Sequence, residues 1–195
     1  MQKKRVESYG LFQTNHLQGM YNALLVPIYG FNEEGEQTYQ SLQIISPAGS
    51  KRFLKGGKKT GGYYCLRIPE KDSDIIISEG YATAATLAEI YPSDGVYCAF
   101  DSGNLKSVAI TIRKLYPTNK IIIAGDNDHY SVPNIGKEKA IEAAQAINGS
   151  YAIPEFKAGE TGTDWNDYYK PPQGVTPMES PHNNNANKGA NHYEQ

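Results

Sequence analysis

Cysteine and long apolar runs are scarce in this chain of 195 residues. The two cysteines, Cys65 and Cys98, lie far apart and form no Cys-x-x-Cys pair, so the chain has no zinc ribbon and two buried free thiols are expected. No apolar run approaches the roughly 20 residues that cross a bilayer. The basic N-terminus, residues 1–5, is not followed by the apolar core of a signal peptide. We therefore expect a cytoplasmic protein that makes no use of a membrane.

An excess of positive charge is also absent, because 19 basic and 21 acidic residues give a formal net charge of −2. Nucleic-acid binding would therefore depend on a local patch. The densest cationic cluster holds five of the 19 basic residues within a glycine-rich stretch: Lys51, Arg52, Lys55, Lys58 and Lys59. Aromatic residues at 53, 63 and 64 flank it and could stack on bases. We interpret this basic cluster as a phosphate-tracking loop, with a solvated hairpin tip as the alternative.

The apolar pattern divides the chain into ranges of different character. We expect a polar N-terminal extension at 1–20 and a β-rich subdomain at 21–70. An α/β domain is expected at 71–170 and a disordered tail at 171–195. In the β-rich range, turns separate four strand signals, at 24–29, 39–45, 51–54 and 63–66. The last two of these strands are expected to pair with each other.

From residue 74 the pattern alternates between strands and helices. The strand signals lie at 74–78, 96–100, 120–124 and 150–153. Between them, helices are predicted at 81–91, at 105–115 and around 140–147. Such alternation predicts a parallel sheet with helices on its faces.

Two short, almost wholly apolar runs end in carboxylates. The run at 75–77 leads to Glu79, and the run at 121–124 leads to Asp126 and Asp128. Such runs are typical of strands buried on both faces, and open α/β sheets bind ligands just beyond the carboxyl ends of these strands. Asp126 and Asp128 are two positions apart, so in an extended segment both side chains point the same way. Clustered carboxylates repel one another unless a cation joins them, and hard oxygen ligands suit Mg²⁺, so the pattern predicts a magnesium site for phosphate chemistry.

Helix capping is the alternative explanation of these acidic residues. It accounts for Glu79 alone, or for Asp101 at the end of the strand 96–100, but not for Asp126 and Asp128 together. Two more groups could meet phosphate. Lys137 lies at the start of the third predicted helix, where backbone N–H groups favour anions, and His129 follows the acidic pair directly. An exposed helix residue is the alternative for Lys137.

Several blocks of sequence occur in the order found in one protein family. EGYATAATL at 79–87, AFDSGNL at 99–105 and TDWND at 163–167 follow a segment at 42–62 that ends in a Lys/Gly loop. Together with DND at 126–128, they resemble the TOPRIM domain of the primase-like proteins carried by plasmids, phages and integrative elements.

This resemblance implies an α/β fold with a TOPRIM-type parallel sheet flanked by helices and a small β-rich N-terminal subdomain. It implies metal-dependent nucleotidyl transfer that makes short primers on single-stranded DNA from nucleoside triphosphates, with Mg²⁺ or Mn²⁺ as cofactor. In the family, the counterpart of Glu79 serves as general acid/base or metal ligand, and Asp126 and Asp128 match the metal ligands. Asp164 and Asp167 resemble an additional acidic pair near the metal, although aspartate is also an ordinary turn residue.

Departures from the family keep alternatives open. Primases of this type usually carry a zinc-binding segment before the TOPRIM region and often a helicase after it, and these 195 residues contain neither. A helicase or zinc-binding protein is therefore expected as a partner. Bacterial replicative primases have glycine where this chain has Asn127. A topoisomerase would need a separate domain for its catalytic tyrosine, for which the chain has no room. A TOPRIM nuclease that activates water with the same carboxylates, and a non-catalytic accessory domain that binds metal and nucleic acid, are the alternatives.

Overall fold

A computed structural model, which describes residues 4–157 and 159–170, contains two β-sheets. The first sheet is antiparallel, with its strands in chain order: β1 (Phe12–Leu17), β2 (Met20–Phe31), β3 (Gln37–Ile45) and β4 (Lys51–Phe53). Gln18 and Gly19 join β1 to β2 with φ angles of 49° and 76°. Two successive positive φ angles are the conformation of a two-residue type I′ hairpin turn, whose twist matches that of the flanking strands.

The second sheet is mostly parallel and has the strand order β5-β7-β6-β8-β9. Its strands are β5 (Tyr64–Arg67), β6 (Ile75–Ser78), β7 (Gly95–Cys98), β8 (Ile121–Ala124) and β9 (Ser150–Ala152). Only the edge strand β5 runs antiparallel, to β7. The helices are α1 (Tyr81–Ile90), α2 (Leu105–Leu115), α3 (Ile135–Ala146) and the short α4 (Trp165–Tyr169), with a 3-10 turn at Ser102–Asn104 before α2.

The isoleucine runs of the second sheet are buried on both faces. Ile75 and Ile77 of β6 pack with α2 and α3 on one face, and Ile76 packs with α1 on the other. Val26 and Ile28 of β2 join the α1 side, so the antiparallel sheet packs on that face. Strands covered on both faces have no polar alternation, which is why these runs are wholly apolar.

The predicted alternation of strands and helices, and the parallel sheet that it implies, are confirmed. The predicted amphipathic helix is α2. Leu105, Val108, Ala109 and Ile112 of its predicted apolar stripe are fully buried, whereas Leu115 at its end is exposed. Across the described residues, the structure has no helix with both the length and the apolar character of a membrane span.

The structure differs from the sequence analysis at two strands. Residues 12–17, expected to belong to a polar extension, form the edge strand β1; most of its side chains are exposed, so it carries no apolar signal. The strand at 64–67, expected to pair with the segment at 51–54, pairs with β7 instead, while β4 pairs with β3. The range 171–195, expected to be disordered, lies outside the described residues.

Candidate active site

A cleft of about 740 Å³ separates the antiparallel sheet from the carboxyl edge of the parallel sheet. The wall on the antiparallel sheet includes one row of side chains that crosses all four strands. Gln13 pairs with Leu24, Leu24 with Ile45, and Ile45 with Lys51. Paired residues of an antiparallel sheet share one face, and all four line the cleft.

The opposite wall brings together carboxylates from separate parts of the chain. Ser78 of β6 pairs with Ala124 of β8, so Glu79 and Asp126 leave the sheet beside each other. Both line the cleft, together with Asp164 from the N-terminal end of α4. The predicted meeting of Glu79 and Asp126 at this sheet edge is therefore found.

Asp126 is the most perturbed carboxyl group of this wall. Burial, followed by the charges of Glu79, Asp164 and Asp128, raises the pKa of Asp126 to about 8. Its Oδ1 atom is buried and has no hydrogen-bond partner among the residues that the structure describes. A buried carboxylate without a donor is costly, and a divalent cation would supply the missing charge. Cation binding at Asp126 is then coupled to loss of its proton.

Glu79 is perturbed in the same direction. Burial is the largest cause of its raised pKa, and the charges of Asp128 and Asp101 add to it. The Ser102 backbone N–H and the Lys51 ammonium act in the opposite sense. A glutamate whose pKa is raised towards neutrality is suited to accepting and releasing a proton.

Asp128 is not part of the lining of the cleft, and its carboxylate is bonded to the start of α3. Its Oδ2 atom accepts a hydrogen bond from the Gly136 backbone N–H at 2.8 Å, and its own N–H donates to Asn134 Oδ1 at 3.1 Å. Gly136 is required there, because a Cβ atom would lie 2.5 Å from the Asp126 carbonyl oxygen and 3.1 Å from Asp128 Oδ2. Asp128 thus adds charge to the site while it fixes the start of α3.

Asp164 and Asp167 are both ion-paired with one lysine from the N-terminal segment. Lys4 Nζ lies 3.1 Å from Asp164 Oδ2 and 3.0 Å from Asp167 Oδ1. The remaining oxygens accept backbone hydrogen bonds: Asp164 Oδ1 from Asp167 N at 2.7 Å, and Asp167 Oδ2 from Thr163 N at 3.3 Å. Asp164 is the N-cap of α4, so the turn role that the sequence left open for this pair is present.

Among the described residues, no group of three or more His, Cys, Asp or Glu side chains is arranged so that it could hold a metal ion. The donor chemistry at Asp126 nevertheless fits a hard divalent cation, since a buried carboxylate oxygen without a partner lies among further carboxylates. After burial, the charge of Glu79 has the largest effect on the pKa of Asp126, followed by the charges of Asp164 and Asp128. The pair Asp164 and Asp167 does not offer such an oxygen.

The five residues of the basic cluster do not form one patch. Lys51 lines the cleft, whereas Arg52, the next residue of β4, donates to the Gln18 carbonyl oxygen at 3.3 Å. Lys58 lines a second hollow of about 370 Å³ beside Glu33 and Glu34. Lys59 is ion-paired with Asp101 and stacks over Phe53, 5.0 Å from its ring centroid. Lys55 is exposed.

The two remaining candidates, Lys137 and His129, are exposed and lie outside the lining of the cleft. The backbone N–H of Lys137 is capped by Asn134 Oδ1 at 3.1 Å. The His129 ring lies 4.0 Å from the ring of Tyr130, and its Nδ1 atom is 3.0 Å from the Asn127 carbonyl oxygen. Their suggested contact with phosphate stays a prediction.

A model of the Toprim domain family matches residues 74–171. The chain belongs to this family. Its relatives include two proteins of Escherichia coli, both named DNA primase TraC. One is 40% identical over 144 residues, which are 68% of this chain and 10% of that protein. The other is 36% identical over 146 residues, which are 66% of this chain and 14% of that protein. The chain thus spans only a small part of the length of these relatives.

Solved structures support the same fold. The primase fragment of the bacteriophage T7 primase–helicase protein has a TM-score of 0.60 and 13% identity, covering 86% of this chain and 67% of that fragment. A primase domain from a T7 lagging-strand DNA polymerase complex with an RNA/DNA hybrid and dTTP has a TM-score of 0.56 and 13% identity, covering 83% of this chain and 81% of that chain. The resemblance to the TOPRIM domain of primase-like proteins, and its implied fold, are confirmed.

Two residues of this TOPRIM site were not predicted from the sequence. Lys4 lies in a polar segment without periodicity, and its position depends on contacts with α4. Asn104 lies inside a block that matched the family, and it is buried. Its amide donates to the carbonyl oxygens of Gly62 at 2.9 Å and Ala99 at 2.8 Å, and its Oδ1 atom accepts from Gly61 N at 2.8 Å. Asn104 thereby ties the Lys/Gly loop to the carboxyl edge of β7.

Proposed function

We propose that this chain is the catalytic TOPRIM region of a primase, which joins ribonucleotides into a short primer on a single-stranded DNA template. The observation that carries the proposal is the unpartnered, buried Oδ1 atom of Asp126 in the cleft between the two sheets. The names of the relatives, DNA primase, favour primer synthesis over other TOPRIM chemistry. TOPRIM domains generally bind a divalent metal ion, and for this chain we propose Mg²⁺ or Mn²⁺.

In this proposal, Asp126 is the main metal ligand, with Glu79 and Asp128 as further ligands. The bound ion would neutralise charge on the reacting phosphates and lower the pKa of the attacking hydroxyl group. Glu79 would accept or hold the proton of that hydroxyl, as its raised pKa allows. Lys51 would attract the triphosphate or the template from the opposite wall of the cleft.

The row Gln13, Leu24, Ile45 and Lys51 supports a contact surface for a nucleotide or a template strand. Three steps between neighbouring strands span about 14 Å, given strand spacings near 4.8 Å, which is comparable to the length of a nucleoside triphosphate. Lys51 lies at the end of this row that is coupled to the carboxylates. A nucleotide would therefore bind with its phosphates towards Lys51.

Partners and setting follow from the same proposal. The substrates would be nucleoside triphosphates and single-stranded DNA. A helicase or a zinc-binding protein would work with this chain, as the T7 relative is described as a primase–helicase protein. Such a primase would act in the cytoplasm, on the DNA of a plasmid, phage or integrative element.

A primer-synthesis assay tests the proposal. The full chain is incubated with single-stranded DNA, labelled ribonucleoside triphosphates and Mg²⁺ or Mn²⁺, and the products are separated by size. We expect short RNA products from the wild type, none from Asp126→Asn, and wild-type amounts from Glu138→Gln, a control on the exposed side of α3. Cleavage of the DNA without RNA synthesis would favour the nuclease, and neither product would favour the accessory domain.

A further inference from the structure

The acidic groups around the cleft fall into two electrostatic classes. Asp126 has a buried oxygen that receives no hydrogen bond from residues 4–157 or 159–170. Asp164 and Asp167, in contrast, have a donor on each of their four carboxylate oxygens, two from Lys4 and two from backbone N–H groups. A metal ion at this pair would have to displace Lys4, whereas an ion at Asp126 would meet an unpartnered oxygen.

The chain holds the backbone of Lys4 in place from the α4 side. The Lys4 carbonyl oxygen accepts a hydrogen bond at 2.9 Å from the Asn166 side chain, which is buried and also donates to Thr86 Oγ1 at 2.8 Å. Val6, two residues further on, is buried against α1 and α4. The backbone of Lys4 is therefore held beside the pair, with both carboxylates within reach of its side chain.

The residues after Val6 continue this attachment. The Tyr81 hydroxyl donates to the Ser8 carbonyl oxygen at 2.7 Å, and the Tyr64 hydroxyl donates to the Tyr9 carbonyl oxygen at 2.6 Å. The segment 4–9 is thus fastened to α1, β5 and α4. It places Lys4 in the lining of the cleft.

The charge state of Lys4 suits a permanent cation. Burial lowers its pKa, but the attraction of Asp164 and Asp167 outweighs this effect, so the pKa of Lys4 is raised above its usual value. Lys4 is therefore positively charged at neutral pH. Lys4, Asp164 and Asp167 together carry a net charge of −1, whereas the two aspartates alone would carry −2.

We propose that Lys4 is the resident cation of the Asp164–Asp167 pair, so that the cleft takes one divalent ion, at Asp126, and none at this pair. This inference rests on the proposed function only in that Asp126 binds a metal. It changes the role that the sequence suggested for Asp164 and Asp167: they orient a lysine and cap α4 instead of binding metal. Lys4 then contributes a positive charge to the site, beside Asp164 and Asp167.

Counting bound Mn²⁺ by electron paramagnetic resonance on the full chain is the first test. We expect one ion per wild-type chain and two per Lys4→Met chain, because removal of the ammonium exposes the carboxylate pair to a solvent cation. Lys4→Arg keeps the charge and should bind one ion. Lys170→Met is the matched control, because Lys170 bonds to Glu89 and to the Arg5 carbonyl oxygen in the same segment but does not line the cleft. It should also bind one ion.

The opposite pattern would overturn the inference. In that pattern the wild type binds two Mn²⁺ ions, and the double variant Asp164→Asn, Asp167→Asn loses one of them. Asparagine is as good an N-cap as aspartate, so this double variant removes charge while it keeps the start of α4. If the wild type binds no Mn²⁺, the proposed function fails, and a second experiment still decides the role of Lys4.

That second experiment is a double-mutant cycle of melting temperatures between Lys4→Met and the Asp164→Asn, Asp167→Asn variant, with EDTA and with saturating Mg²⁺. A resident cation predicts that the two changes are not additive and that the coupling has the same size in both conditions. Coupling that is present in EDTA and absent in Mg²⁺ would mean that the metal displaces Lys4. Additive effects in EDTA would mean that the ion pair does not form. Either result would overturn the inference.

Discussion

Burial raises the pKa of Asp126, and Glu79 raises it further because both residues follow the same rung of the parallel sheet, where Ser78 pairs with Ala124. The two carboxyl groups are 47 residues apart in the chain, and the sheet register brings them together. Their repulsion is strongest when no cation is present. The stability of the metal-free protein should therefore report on the site even before any activity is measured.

The first prediction concerns the pH dependence of metal-free stability. Folded Asp126 keeps its proton up to a pKa of about 8, whereas an unfolded aspartate loses it near pH 3.9. Between these values the folded state binds more protons, so the free energy of unfolding decreases as pH rises, by at most about 1.4 kcal/mol per pH unit. The stabilisation is complete below about pH 4 and is lost as pH passes about 8.

The measurement is the melting temperature in EDTA across this pH window. Asp126→Asn is neutral at every pH, so its melting temperature should fall less steeply with pH than that of the wild type. Glu138→Gln should follow the wild type. Parallel curves for Asp126→Asn and the wild type would show that Asp126 titrates as an ordinary surface carboxyl group.

Replacement of Glu79 by glutamine should separate turnover from binding. If Glu79 moves the proton of the attacking hydroxyl, Glu79→Gln should lower turnover by roughly 10²-fold or more, in line with general acid–base contributions. Template affinity should barely change, since the side chain keeps its size. Primer synthesis and oligonucleotide anisotropy, measured on the same preparations, check both parts. Near-normal turnover in the variant would reduce Glu79 to a structural residue.

Lys51 should contribute more to nucleic-acid binding than the rest of the basic cluster. It lines the cleft, whereas Lys58 lies beside Glu33 and Glu34 and Lys59 is paired with Asp101. Each phosphate contact on a single strand adds about −0.7 to the slope of log affinity against log salt concentration. Lys51→Ala should therefore flatten the slope by about 0.7.

The comparison for Lys51 is a triple variant of the loop, Lys55→Ala, Lys58→Ala and Lys59→Ala. Three full phosphate contacts would flatten the slope by about 2, but the acidic neighbours of Lys58 and Lys59 predict a change of less than about 1. Fluorescence anisotropy of labelled oligonucleotides from low to moderate salt measures both variants. A larger effect from the triple variant than from Lys51→Ala would move the nucleic-acid path from the cleft to the loop.

Asn104 should prove to be a structural support of the site. Asn104→Ala leaves the Gly61 N–H and two carbonyl oxygens without their partner, and each buried polar group left unsatisfied costs about 1–3 kcal/mol. Urea unfolding measures the loss of stability, and limited trypsin digestion measures the exposure of the lysines at 55–59. Unchanged stability together with unchanged digestion would show that the loop is held by other contacts.

The sequence carried most of the information on the parallel sheet, because strands buried on both faces have no polar alternation. The runs at 75–77 and 121–124 therefore located the edge where Glu79 and Asp126 meet. The edge strand β1 was missed, since exposed strands owe their conformation to pairing and to the Gln18-Gly19 turn. The predicted partner of β5 was wrong for a related reason: the sequence of a short strand carries no signal that selects between two sheets.

Within the site, local patterns were informative and long-range contacts were not. The spacing of Asp164 and Asp167 is compatible with a metal pair and with a helix cap, and the structure contains the cap. The cation that is ion-paired with both residues is Lys4, which is 160 residues from Asp164 in sequence. No pattern along the chain connects these residues. Similarly, the residues of the basic cluster are close together in sequence. They lie on different surfaces because successive side chains of β4 point to opposite faces of the sheet and because Lys58 and Lys59 lie beside different acidic residues.

A calorimetric Mn²⁺ titration of Asp126→Asn with Asp128→Asn tests the central claim most directly. The claim is that the cleft between the two sheets is a divalent-metal site organised by Asp126. The double variant should fold, be at least as stable as the wild type in EDTA because like-charge repulsion is relieved, and show no heat of Mn²⁺ binding, while Glu138→Gln binds Mn²⁺ as the wild type does. Unchanged Mn²⁺ affinity and stoichiometry in the double variant would contradict the account.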